Sequence, residues 1–106
     1  MKKNQLFIVF GGEFYEYDDG TGYYTKYYRE PKYYKNKEKA NEYVELLIDD
    51  YMKMKSYSHN YKIMDKRKDE EENTPLEKYI TDIRDKEDYA VFRIEMMVID
   101  LSKVIM

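Results

Sequence analysis

The sequence predicts a small α+β domain: an antiparallel or mixed sheet, built from an N-terminal β-hairpin and a long C-terminal strand, with two helices largely on one face. Three observations carry this expectation. Residues 5–17 and Tyr89 to Leu101 are long, largely apolar segments whose side chains alternate with the period of a strand. Ala40, Tyr43, Val44, Leu47, Tyr51 and Met54 recur at the spacing of one helical face. Thr74-Pro75-Leu76-Glu77 has the form of a capping box with proline at the first helical position, followed by a second apolar stripe of Leu76, Tyr79, Ile80 and Ile83. The expected order is β-β-α-(β)-α-β.

The first strand carries Leu6, Ile8, Phe10 and Phe14 at even positions and Phe7, Val9, Tyr15 and Tyr17 at odd ones, so both faces are apolar. Gly11-Gly12 in its middle points to a bulge or a close backbone approach. Asp18-Asp19-Gly20-Thr21-Gly22 reads as the hairpin loop, and Tyr23 to about Arg29 as the returning strand. If Tyr17 faces Tyr23, the odd face gathers Tyr15, Tyr17, Tyr23 and Tyr27, and the even face gathers Phe10, Phe14, Tyr24 and Tyr28. The even face, with Leu6 and Ile8, is the better claimant for helix cover, which leaves the odd-face tyrosines exposed.

Pro31 ends that strand, Asn36 is the candidate N-cap, and the helix runs to about Lys55. Ser56 to Asn60 is a break, and Tyr61 to Asp65 reads as a short strand. In the last strand Ala90, Phe92, Ile94, Met96 and Val98 alternate against Val91, Arg93, Glu95, Met97 and Ile99, a pattern suited to a central strand paired with the first.

A chain of 106 residues, 42% hydrophobic and 39% charged, fits one domain spanning 1–106. The absence of cysteine excludes disulfides and thiolate metal sites, and a small secreted domain without disulfides would be unusual. Leu6 to Phe10 is too short an apolar stretch for a signal peptide or a spanning helix, so the expected location is the cytoplasm. The net charge of −3 argues against a general nucleic-acid binder. That charge is concentrated between Asp65 and Asp88, which holds ten acids against six bases.

Tyrosine is the compositional anomaly. Eight of the fourteen lie between Tyr15 and Tyr34, interleaved with Lys26, Arg29, Lys32 and Lys35. A hairpin of strong β-formers explains them structurally. An exposed tyrosine surface is also what a recognition patch uses, since the ring delivers contact area and a hydroxyl at low entropic cost. The bases are matched by Glu13, Glu16, Asp18, Asp19 and Glu30, which favours a protein partner over nucleic acid. The run Asp69-Glu70-Glu71-Glu72 is either a solvated loop or a mimic of phosphates in a cationic channel, and Lys66-Arg67-Lys68 partly offsets it.

No catalytic constellation emerges. Asp18-Asp19-Gly20 lacks the later ligands of a calcium loop, Gly20-Thr21-Gly22 is not followed by the lysine of a phosphate loop, and His59 has no oriented partner legible in the sequence. No cofactor or metal site is expected.

Tyr33-Tyr34-Lys35-Asn36-Lys37-Glu38-Lys39-Ala40-Asn41-Glu42-Tyr43, directly after an aromatic hairpin, resembles the strand-to-helix junction of many small phage and mobile-element proteins. The resemblance covers about residues 6–48 and transfers no functional residue. Such proteins are often similar to anti-CRISPR and other anti-defence inhibitors, and the resemblance therefore implies a non-enzymatic, phage-encoded inhibitor of a host defence complex such as a CRISPR nuclease. The interface residues would be Tyr15, Tyr17, Tyr23, Tyr27 and Asp69, Glu70, Glu71, Glu72, with a host defence protein or ribonucleoprotein, or a second copy of the chain, as partner and no membrane. Two alternatives stand beside it: a nucleic-acid accessory protein that stacks bases on the tyrosines, and an enzyme with an unfamiliar site.

Overall fold

A computed structural model describes residues 4–54, 61–65 and 76–101. Among them, the strands are β1 (Gln5–Glu16), β2 (Gly22–Tyr27), β3 (Lys32–Tyr34), β4 (Lys62–Asp65), β5 (Leu76–Arg84) and β6 (Ala90–Asp100), and the helix is α1 (Lys37–Met54). The strands form one antiparallel sheet in the order β2-β1-β6-β5-β4, with β3 also paired to β1.

The two long apolar segments sit side by side at its centre. Phe7 faces Val98, Val9 faces Met96 and Gly11 faces Ile94. These odd residues of β1 and even residues of β6 lie under α1, where Ala40, Tyr43, Val44, Leu47, Ile48 and Tyr51 close the core. Phe92 is fully buried and stacks on Tyr51 at 4.2 Å between ring centroids. Asn36 caps the helix: its Oδ1 accepts from the Glu38 and Lys39 N–H groups at 2.8 and 3.3 Å. The chain reaches that cap through β3, whose Tyr34 pairs with Phe7 in the ladder.

The expected second helix is not there: residues Leu76–Arg84 form β5, so the two-helix order β-β-α-(β)-α-β gives way to a mostly antiparallel sheet with one helix. The apolar spacing of Leu76, Tyr79, Ile80 and Ile83 suits a helix, but Tyr79, Ile80, Thr81 and Ile83 are all β-formers. Without β5, the eleven-residue β6 would present a bare backbone edge. Pairing decides the outcome, and Thr81 and Ile83 become core residues at 1% and 0% exposure. The capping box Thr74-Pro75 lies outside the described residues.

The helix also covers the opposite face of β1 from the one expected. In β6 the charged Arg93 and Glu95 alternate with the apolar Phe92, Ile94 and Met96. Ionised groups cannot be placed beneath an apolar helix face without a large desolvation cost. The register then locks Phe10 against Glu95 and Gly12 against Arg93, carrying the even residues of β1 to the uncovered face. Among the described residues, no helix is long and apolar enough to cross a membrane.

Candidate protein-binding surface at the hairpin end

The β1–β2 hairpin closes with Tyr17 N–H donating to Thr21 O at 2.7 Å and Gly20 N–H to Tyr17 O at 3.0 Å. Gly20 takes φ = 89°, a left-handed conformation that glycine adopts without strain. Asp19 accepts from the Thr21 N–H and hydroxyl at 2.9 and 2.6 Å, and these bonds hold its carboxyl below the ordinary range.

The register differs from the expected one. Tyr15, not Tyr17, faces Tyr23, and Thr25 is an extra residue in β2 between the Glu13–Lys26 and Phe14–Tyr24 pairs. This bulge inverts the alternation beyond it. Tyr27 therefore leaves the odd-face group and joins Phe10, Phe14 and Tyr24 on the uncovered face, where its ring stacks on Tyr24 at 4.9 Å. Tyr28 moves the other way and packs edge-on against Phe92. Gly12 permits the close passage of β2, since a Cβ there would stand 2.3 Å from the Lys26 carbonyl oxygen.

Tyr15, Tyr17 and Tyr23 do come together. Their ring centroids are 5.3, 5.7 and 5.8 Å apart, and the three residues are 52%, 49% and 49% exposed. Asp69, Glu70, Glu71 and Glu72 lie outside the described residues, as does His59.

A second loop, missed by the sequence reading, completes this end of the molecule. Between β5 and β6, Asp85 Oδ1 accepts from the Glu87 and Tyr89 N–H groups at 3.0 Å each, and Asp88 adopts φ = 67°. The Tyr89 hydroxyl donates to Asp18 across the gap between the loops, and that carboxylate pushes the phenol's pKa up. A cleft of about 440 Å³ lies there, lined by Phe14, Tyr15, Glu16, Tyr17, Asp18, Asp85 and Tyr89 among others. Glu16, Asp18 and Asp85 line it, and the two loops also carry Asp19, Glu87 and Asp88, with Lys86 the one base in either loop. The signal for this site was Asp85, Glu87 and Asp88, which the sequence shows only as part of the acidic stretch from Asp65 to Asp88.

A charge network fixes both loops from below. Arg84 donates to Glu16 at 2.8 Å and to Asp88 at 2.9 Å, so one guanidinium ties β1 to the β5–β6 loop. Arg93 donates to Asp82 at 2.7 and 3.0 Å in a bidentate pair and lies 4.1 Å over the Phe14 ring. Asp82 is 4% exposed and Glu95 6%, and Glu95 accepts from Tyr24 and pairs with Lys78. Burial first, and then the bond to Glu95, drives the Tyr24 phenol pKa far above its ordinary value.

Chemically, the arrangement offers three phenol rings in tilted and edge-on contact beside the carboxylates of two loops. Among the described residues no group of three or more histidines and carboxylates is set to hold a metal ion. Comparison with known protein families, with curated proteins and with solved structures finds no match.

Proposed function

We propose that this chain is a non-enzymatic binding protein that docks the hairpin end on a cationic surface of a protein partner, and that it acts as a phage-encoded inhibitor of a cytoplasmic host defence complex such as a CRISPR nuclease. The observation that carries the reading is the packing of Tyr15, Tyr17 and Tyr23 into one half-exposed cluster flanked by the carboxylates of two loops. Such a cluster supplies rigid contact area, and arginine side chains both stack on phenol rings and pair with carboxylates. A nucleic-acid channel on a defence nuclease presents arginines and lysines of that kind. The same carboxylates repel phosphate, which favours this reading over base stacking on nucleic acid.

The test is a plasmid-interference assay in cells carrying a CRISPR nuclease, paired with titration of the purified nuclease complex. Wild-type protein is expected to bind and to suppress interference. Tyr17→Ala with Tyr23→Ala is expected to weaken binding by several hundred-fold, at about 2 kcal/mol per hot-spot residue, while circular dichroism stays unchanged. A folded double variant that binds and inhibits like wild type removes the hairpin end from the interface. Micromolar binding of a single-stranded oligonucleotide at physiological salt would put the nucleic-acid reading in its place.

A further inference from the structure

We infer that the sheet face opposite α1 is a self-association surface, on which a second copy of this chain packs sheet against sheet. The helix covers one side of the sheet; the other carries Leu6, Ile8, Phe10, Ile80, Met97 and Ile99, all partly exposed, with Tyr33 at 62% and Met64 at 47%. Cross-strand pairs make the patch continuous, because Leu6 faces Ile99 and Ile8 faces both Met97 and Tyr33. A water-facing sheet normally alternates to polar residues on this side. An apolar surface of this extent marks an interaction site.

Charge selects the occupant. Among the described residues, three cations and three carboxylates of this face pair with one another: Lys78 with Glu95, Arg93 with Asp82, Arg84 with Glu16. Among the described residues, apart from Lys62 on the β4 edge, the face is neutral, although the chain carries −3. A strongly charged partner therefore gains nothing there, whereas an identical neutral face brings no repulsion and satisfies two-fold symmetry. The size also fits. Five strands of twelve, six, four, nine and eleven residues, at about 3.3 Å rise and 4.8 Å spacing, give a footprint of about 670 Å², within the range of a standard interface at ~600–1,000 Å² per partner. Antiparallel sheets stack face to face at about 10 Å, and the dimer would be layered α/β/β/α. This surface is separate from Tyr15, Tyr17 and Tyr23, which alternation sends to the helix side of the sheet.

Sedimentation equilibrium of the full chain decides the matter. Wild type is expected to sediment at twice its 13.1 kDa chain mass at micromolar concentration. Ile8→Lys is expected to weaken the dimer at least about 100-fold, because two unpaired ammonium groups would be buried against apolar residues. Glu42→Gln makes a charge change of the same sign on the exposed side of α1 and is expected to leave the dimer intact. If Ile8→Lys does not fold, isotope-filtered NOEs in the wild-type protein give the answer. Intermolecular contacts among the Ile8, Met97 and Ile99 methyls support the inference. A monomer up to about 100 µM, a dimer indifferent to a folded Ile8→Lys, or contacts confined to the Tyr15, Tyr17 and Tyr23 rings overturn it.

Discussion

Phe92→Ala removes the side chain on which the two layers of this fold meet. Phe92 is 0% exposed, stacks on Tyr51 of α1 and meets the edge of the Tyr28 ring beyond β2. It also faces Glu13 in β1 and Ile83 in β5, so the cavity left behind is walled by backbone on two sides. Walls of paired strands cannot collapse inward as a flexible loop would. The expected cost is therefore at the upper end of the Phe→Ala range, about 4–5 kcal/mol, part of it from two lost aromatic contacts at about 0.5–1.5 kcal/mol each. A domain of this length is stable by about 5–15 kcal/mol, so the variant is expected to be largely destabilised or only marginally folded. Urea titration followed by circular dichroism and tyrosine fluorescence measures the loss directly, with the m-value checking that the transition stays two-state. Phe92→Leu, which keeps most of the volume, is expected to lose below about 1.5 kcal/mol. A loss under about 1 kcal/mol in Phe92→Ala would refute the packing argument and with it the placement of α1 over the centre of the sheet.

Three further outcomes follow from single contacts. Asp82→Ala leaves the largely buried Arg93 guanidinium without its bidentate partner and is expected to cost about 3–5 kcal/mol in urea titration, more than any exposed ion pair in the chain. Asn36→Ala removes the acceptor at the start of α1 and is expected to cost about 1 kcal/mol, with Asn36→Asp restoring most of it. Burial raises the Tyr51 phenol to about 12, above its unfolded value of 10.0, so the folded state holds a proton that the unfolded state releases. Its contribution is complete below pH 10 and is lost as pH rises towards 12, at up to about 1.4 kcal/mol per pH unit; Tyr51→Phe is expected to flatten that alkaline slope in thermal melts.

Local pattern was sufficient wherever one face of an element decides its fate. The alternation of Ala90 to Ile99 and the 3.6-residue recurrence of Ala40 to Tyr51 each specify which side chains go inward, and Asn36 specifies where the helix starts. Tyr15, Tyr17 and Tyr23 were legible as a group for the same reason: strand geometry sends them to one side, although their cross-strand partners, the place of Tyr27 and the face that α1 covers were misjudged. Pairing and register are not local. Leu76–Arg84 fits both a helical stripe and a strand, and it is a strand because β6, which follows after a five-residue turn, offers an unpaired edge. Thr25 bulges because Gly12 and Phe14 must both meet β2, and that one residue carries Tyr27 to the opposite face. The side of β1 that meets α1 follows from Arg93 and Glu95, eighty residues downstream, whose charges are confined to the open face and bring the even residues of β1 with them. Composition alone thus determined that the chain would display tyrosines and carboxylates on a small sheet. Which tyrosines touch, which carboxylates surround them and which apolar face stays uncovered were decided by long-range pairing, because a hydrogen-bond register is a relation between two segments and is written in neither one.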